Sequence, residues 1–174
     1  MGEIKLEKSR ANLFLIEGNK DNIAFQCFAD ATKEHGGYII SWQTPEMLNE
    51  RYGLTVELAN LRPSNAIPKS NVINYLSLDD TAAEGAVLER IVRKCRNSLE
   101  AKMPFMFDGI EQLMLEHEPK SMSYFLHELV KNATKVKVPI LILINKNKYN
   151  ELSKAYRKEL EDNVDRYVVK HDIN

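Results

Sequence analysis

The chain is short of the residues that define several protein classes. It holds two cysteines, Cys27 and Cys95, in 174 residues. They lie far apart, form no CxxC and have no metal-ligand spacing, which excludes a disulfide scaffold and a zinc module. Both fall inside helical patterns, so the expected role is that of small buried hydrophobes in a reducing compartment. Long apolar runs are also missing. The longest clear block, Pro139 to Ile144, falls well short of the roughly 18 residues of a spanning helix. Met1 to Arg10 alternates charge and carries no apolar stretch, so no signal peptide and no membrane contact are expected, and the expected compartment is the cytoplasm. Neither charge is in excess. Lys and Arg number 24 against 25 Asp and Glu, a net charge of −1, which excludes a nucleic-acid surface built on bulk positive charge. No internal repeat or low-complexity tract is present.

Apolar residues make up 44% of the chain, enough for a sizeable core, and the length suits one domain of roughly 150 residues. Short apolar runs mark the strands: Leu13–Ile16, Tyr38–Ile40, Val72-Ile73 with Tyr75-Leu76, Phe105–Phe107 and Ile140–Ile144. Strands without alternation are buried on both faces, as in a parallel sheet covered by helices. Tyr167–Val169 is expected as an additional edge strand. Between the strands run stripes with helical three-and-four spacing. They comprise Ile23–Ala31, Met47–Tyr52, Leu88–Leu99, Met122–Ala133 and one long helix through Tyr149, Leu152, Tyr156 and Leu160. The second stripe is opened by Thr44 and Pro45 and closed by Gly53. The expected fold is a three-layer α/β/α sandwich with right-handed crossovers. Its sheet is mainly parallel, with five to six strands. One domain spans 1–174, with 1–10 as a flexible N-terminal segment. Residues 56–70, with two prolines and two asparagines, are expected as a long surface loop.

In open α/β sheets, ligands bind beyond the carboxyl ends of the strands. That edge carries Glu17-Gly18, Ser41-Trp42-Gln43, Asp108-Gly109 and Asn145. A phosphate-binding loop needs glycines to bare its N–H groups, a lysine for the outer phosphates and a hydroxyl for magnesium. Framed from Gly18, the second glycine is Ile23, the lysine is Ala24 and the hydroxyl residue is Phe25. Glu17 and Asp21 add negative charge where phosphate would lie, and Asn19 or Asp21 reads as a helix N-cap.

The segments Leu13-Phe14-Leu15-Ile16-Glu17-Gly18 and Gly37-Tyr38-Ile39-Ile40-Ser41-Trp42-Gln43-Thr44-Pro45-Glu46-Met47-Leu48 resemble the opening of KaiC/RecA-like ATPases. Pro104 to Leu113, with Asp108, is similar to the Walker B strand of that family. The whole chain more closely resembles the archaeal domain-of-unknown-function family 835, over roughly residues 11 to 160. The resemblance rests on Asp-Gly-Ile-Glu-Gln-Leu, on Glu-Arg-Tyr-Gly-Leu and on the Met122 to Leu129 helix. It implies a RecA-type domain whose P-loop has decayed, with regulatory work and homo-oligomeric association. Where it would place the glutamates that polarise water, this chain has Trp42-Gln43, and neither side chain can act as a base.

The leading expectation is therefore a non-catalytic regulatory or signalling module acting through protein contacts, with no cofactor and no metal. The alternatives are a magnesium-dependent nucleotide or phosphate-ester hydrolase using Glu17, Asp108 and Glu111, and a small-molecule sensor at the strand-end crevice. A phospho-receiver with Asp108 as acceptor, aided by Glu17 and Lys146, ranks lower. Ligand-binding candidates are Glu17, Asn19, Trp42, Asp108, Glu111 and Asn145. Asp108 by itself reads as structural, accepting N–H bonds at the turn into the next helix. Trp42 reads as core, or, at a rim, as a stacking surface. Interaction candidates are Arg62 and Lys69 on the 56–70 loop and Arg90 and Arg93 on the basic flank of the third helix, which otherwise reads as a solvated face. His117 and His127 lack metal-ligand spacing, and Ser41 has no readable histidine partner.

Overall fold

The computed structural model describes residues 11–16, 22–34, 36–58, 73–77, 91–93, 95–97, 102–163 and 166–168. Seven strands are defined: β1 (Ala11–Ile16), β2 (Gly37–Ser41), β3 (Val56–Leu58), β4 (Ile73–Ser77), β5 (Phe105–Asp108), β6 (Ile140–Asn145) and β7 (Arg166–Val168). They form one sheet in the order β3-β4-β2-β5-β6-β1-β7. Every pairing is parallel. The helices are α1 (Asn22–Ala31), α2 (Pro45–Tyr52), α3 (Ile110–Glu116), α4 (Pro119–Val136), α5 (Lys146–Glu151) and α6 (Lys154–Asn163). Residues 91–93 and 95–97 are also helical.

Side-chain alternation along the strands divides the core into two layers. Ile40, Phe105, Phe107, Ile140, Ile142 and Ile144 pack on one face with Ile91, Cys95 and the apolar sides of α3, α4 and α6. Ile39, Met106, Leu141 and Leu143 pack on the other with Ala24, Phe25 and Phe28 of α1 and Leu48 of α2. Strands buried on both faces are why the apolar runs show no alternation. The sandwich follows from the connections. The paths β1-α1-β2 and β2-α2-β3 run one way along the sheet. Those from β4 to β5, β5 to β6 and β6 to β7 run the other way. With crossovers of one hand, reversing direction moves the helices to the opposite face.

Three expectations are corrected. The sheet has seven strands because Val56–Leu58 pairs with Ile73–Tyr75 at the edge. The first three residues of the expected 56–70 loop are therefore strand, too short a run for periodicity to reveal. The rest of that loop lies outside the described residues, as does the 1–10 segment. The last helical stripe is two helices, because Leu152 adopts an extended backbone (φ −65°, ψ 146°) after α5. Helix α3 carries no stripe of its own in the sequence pattern, although Ile110, Leu113 and Met114 bury its inner side. The expected edge strand is found at Arg166–Val168 beside β1.

The caps of α2 are as the sequence indicates. The Thr44 side chain accepts from the Met47 N–H, Pro45 opens the helix, and Gly53 closes it with a left-handed backbone at φ 68°. Cys95 is fully buried and Cys27 half-buried, and neither forms a disulfide. Burial pushes the Cys95 thiol far up, which keeps it protonated and unreactive. Among the described residues no helix is long and apolar enough to cross a membrane.

Candidate functional site

The order of the strands sets where a ligand can enter. Helix α2 leaves β2 toward one face, while α3 leaves the adjacent β5 toward the other. The divergence opens a crevice between their carboxyl ends. A cleft of about 650 Å³ lies there, bordered by residues that follow β2, β5 and β6. That volume falls in the range of pockets for small organic ligands.

The buried polar centre of this edge is built on the register of β2 and β5, which places Ser41 opposite Asp108. Ser41 Oγ donates to Asp108 Oδ2 at 2.6 Å, and Gln43 Nε2 donates to the same oxygen at 3.0 Å. The Gln43 N–H donates to Ser41 Oγ at 3.0 Å. Arg51 Nη1 donates to Gln43 Oε1 at 3.0 Å, and the Tyr75 hydroxyl donates to the Gln43 carbonyl at 2.6 Å. Ser41, Gln43 and Asp108 are buried. The orientation of the Gln43 amide is fixed from both ends, with Arg51 on its oxygen and Asp108 on its nitrogen. A glutamate in its place would put a second carboxyl against Asp108, which buried like-charge pairs disfavour. Tyr52 stacks on Phe25 with centroids 3.8 Å apart and tethers α2 over α1.

Gly109 turns the chain from β5 into α3 at φ 106°, a backbone that L side chains rarely adopt. This sharp turn brings Glu111, in the first turn of α3, back to the cleft. Its Oε2 atom is buried and has no hydrogen-bond partner among the described residues. Burial pushes the Glu111 carboxyl above its ordinary value. A bond from its own backbone N–H pulls it down, the nearby Asp108 pushes it up again, and Lys148 pulls it down. Asn145 caps α5, its side chain accepting the Asn147 N–H at 2.9 Å. Trp42 stands at the rim with 47% of its surface exposed, beside Leu115 at 83%.

Of the candidates read from sequence, Trp42, Asp108, Glu111 and Asn145 border one cleft. Glu17, Asn19, Arg62, Lys69 and Arg90 lie outside the described residues. Arg93 is exposed. Its neighbour Arg96 makes only a loose pair with Glu128 at 3.9 Å, a contact of little energetic weight. Trp42 is at the rim and not in the core, because β2 ends at Ser41 and the next residue leaves the sheet. Asp108 is bonded as a structural residue would be, with side-chain donors from the neighbouring strand end. Lys148, Glu151 and Leu152 also border the cleft. The sequence pattern did not single out Lys148 or Glu151 and placed Leu152 only in a helical stripe, although the strand-end position of Asn145 makes the helix that follows a cleft wall. Among the described residues no group of three metal-ligating side chains could hold an ion.

Glu111→Gln tests the cost of that half-buried carboxyl. A carboxyl whose folded value is raised favours folding fully only below its unfolded pKa of about 4.3, and that contribution is lost as pH rises through the folded value. The variant is expected to melt higher than the parent at neutral pH, with the gap closing near pH 4. Equal gaps at both pH values would refute this. No family model matches the chain, and no curated protein matches it.

Proposed function

We propose that the chain is a non-catalytic, RecA/KaiC-like regulatory module that reads a small molecule in its strand-end cleft. The observation that carries this reading is the pairing of an open cleft with an Asp108 that is already committed to Ser41 and Gln43. A metal-binding or water-activating aspartate needs free lone pairs on an accessible carboxyl, and Asp108 is 4% exposed. The residues at the P-loop and base positions support the same reading, since Ile23, Ala24, Phe25 and Gln43 cannot grip a triphosphate or take a proton. The hydrolase alternative asks Glu17, Asp108 and Glu111 to share magnesium, and the bonds at Asp108 work against it. The phospho-receiver alternative needs Asp108 open to a phosphodonor, which its burial opposes. Regulation through protein contacts, as a homo-oligomer in the cytoplasm, remains part of the proposal as the output of ligand binding.

The single tryptophan makes the test direct, because Trp42 borders the cleft. A chemically diverse library of small metabolites is titrated against Trp42 emission and melting temperature. At least one compound is expected to give a saturable emission change. At a hundred times its Kd it adds about 2.7 kcal/mol to stability, a rise of roughly 5–10 °C for a domain of this size. A library without a saturable hit would refute ligand sensing. Magnesium-dependent release of phosphate from ATP or GTP, lost in Asp108→Asn, would refute the non-catalytic assignment.

A further inference from the structure

The cleft differs from an anion site in the charge that borders it. Helices α3 and α5 begin at it, and the N-terminal end of a helix attracts negative charge. Each end already carries a polar group of the chain's own. The Asn145 side chain takes the Asn147 N–H, and Glu111 places a carboxyl in the first turn of α3. What the cleft still offers is acceptor capacity and an aromatic surface. Glu111, whose Oε2 is buried without a partner among the described residues, borders it together with Asp108, Glu151 adds a further carboxyl at the end of α5, and the half-exposed indole of Trp42 forms the rim. Among the described residues Lys148 is the one basic side chain bordering the cleft. It is exposed, and its pull on Glu111 is the weakest of the four influences there.

We infer that the cleft selects a small organic cation, an amine carried on an apolar or aromatic body, with the ammonium held between Glu111 and the face of Trp42. This rests on the ligand-sensing reading above and adds the chemical class. An indole attracts cations through its negative face. A carboxylate in a partly desolvated cleft accepts charge-assisted bonds from an ammonium. Leu115, Leu143 and Leu152 supply the apolar walls for the body of the ligand. An anionic ligand would meet the carboxyls of Asp108, Glu111 and Glu151. A neutral one would bring the Glu111 carboxylate no opposite charge.

Three probes of one shape separate these cases: 2-phenylethylammonium, 2-phenylethanol and 3-phenylpropionate, each titrated into the full chain and followed by Trp42 emission and calorimetry. The ammonium is expected to bind about tenfold more tightly than either of the others, the margin of one retained ionic contact. Glu111→Gln is expected to erase that preference. Trp42→Phe, followed by calorimetry, is expected to weaken the ammonium severalfold. Equal binding of all three, or a preference for the propionate, overturns the cation assignment and leaves ligand sensing in place. The same holds if no probe binds while the metabolite library yields a saturable hit. A preference that survives Glu111→Gln overturns it as well.

Discussion

Phe107→Ala is expected to destabilise the protein by about 3–5 kcal/mol, the range for deleting a phenyl group from a packed core. Phe107 is fully buried in β5, the fourth strand of the seven. Its ring meets Phe125 of α4 edge-on at 5.9 Å and Phe105 at a tilt at 6.4 Å. The substitution removes apolar burial, two aromatic contacts and the filler between sheet and helix. Neighbouring side chains cannot refill the space, because close-packed interiors relax only partly. For a domain of this size the melting temperature should fall by roughly 6–20 °C. Leu115→Ala supplies the contrast. Leu115 is 83% exposed, and its truncation should stay within about 0.5 kcal/mol. Urea midpoints with an unchanged m-value would measure both. A Phe107→Ala loss below about 1 kcal/mol would mean that the two core layers are not packed as described.

The same residues show what the sequence discloses and what it withholds. Phe105–Phe107 and Ile140–Ile144 are legible as buried parallel strands because short apolar runs bounded by turn residues suit a strand covered on both faces. The site was legible wherever chemistry falls at a strand end. Trp42, Asp108 and Asn145 stand at three such ends, and Glu111 follows one turn later. The partners of Asp108 were not legible. Ser41 and Gln43 are separated from it by more than sixty positions, and only the register of β2 against β5 brings them together. Strand order depends on long-range pairing energies that local periodicity does not encode. The edge strand β3 escaped notice for a different reason: three residues carry too little pattern to separate a strand from a loop.

Asp108→Ala is expected to cost about 3–5 kcal/mol, chiefly through what it leaves behind. The Ser41 hydroxyl and the Gln43 amide would lose a shared acceptor inside the protein. Each stranded buried donor costs about 1–3 kcal/mol. The damage should spread, since Gln43 also anchors Arg51 and receives Tyr75. Asp108→Asn keeps the volume and one acceptor oxygen, so a smaller loss of about 1–3 kcal/mol is expected. Ser41→Ala removes one donor and should cost about 1 kcal/mol. Combined with Asp108→Asn, it should fall short of additivity by about 0.5–3 kcal/mol, because the two side chains share one bond. A structural aspartate gives this graded series in urea midpoints, with coupling between the pair. An aspartate kept for catalysis gives the opposite pattern: Asp108→Asn would leave stability almost untouched and abolish a turnover. Additive losses for Ser41→Ala and Asp108→Asn would therefore remove the main support for an Asp108 committed to the fold.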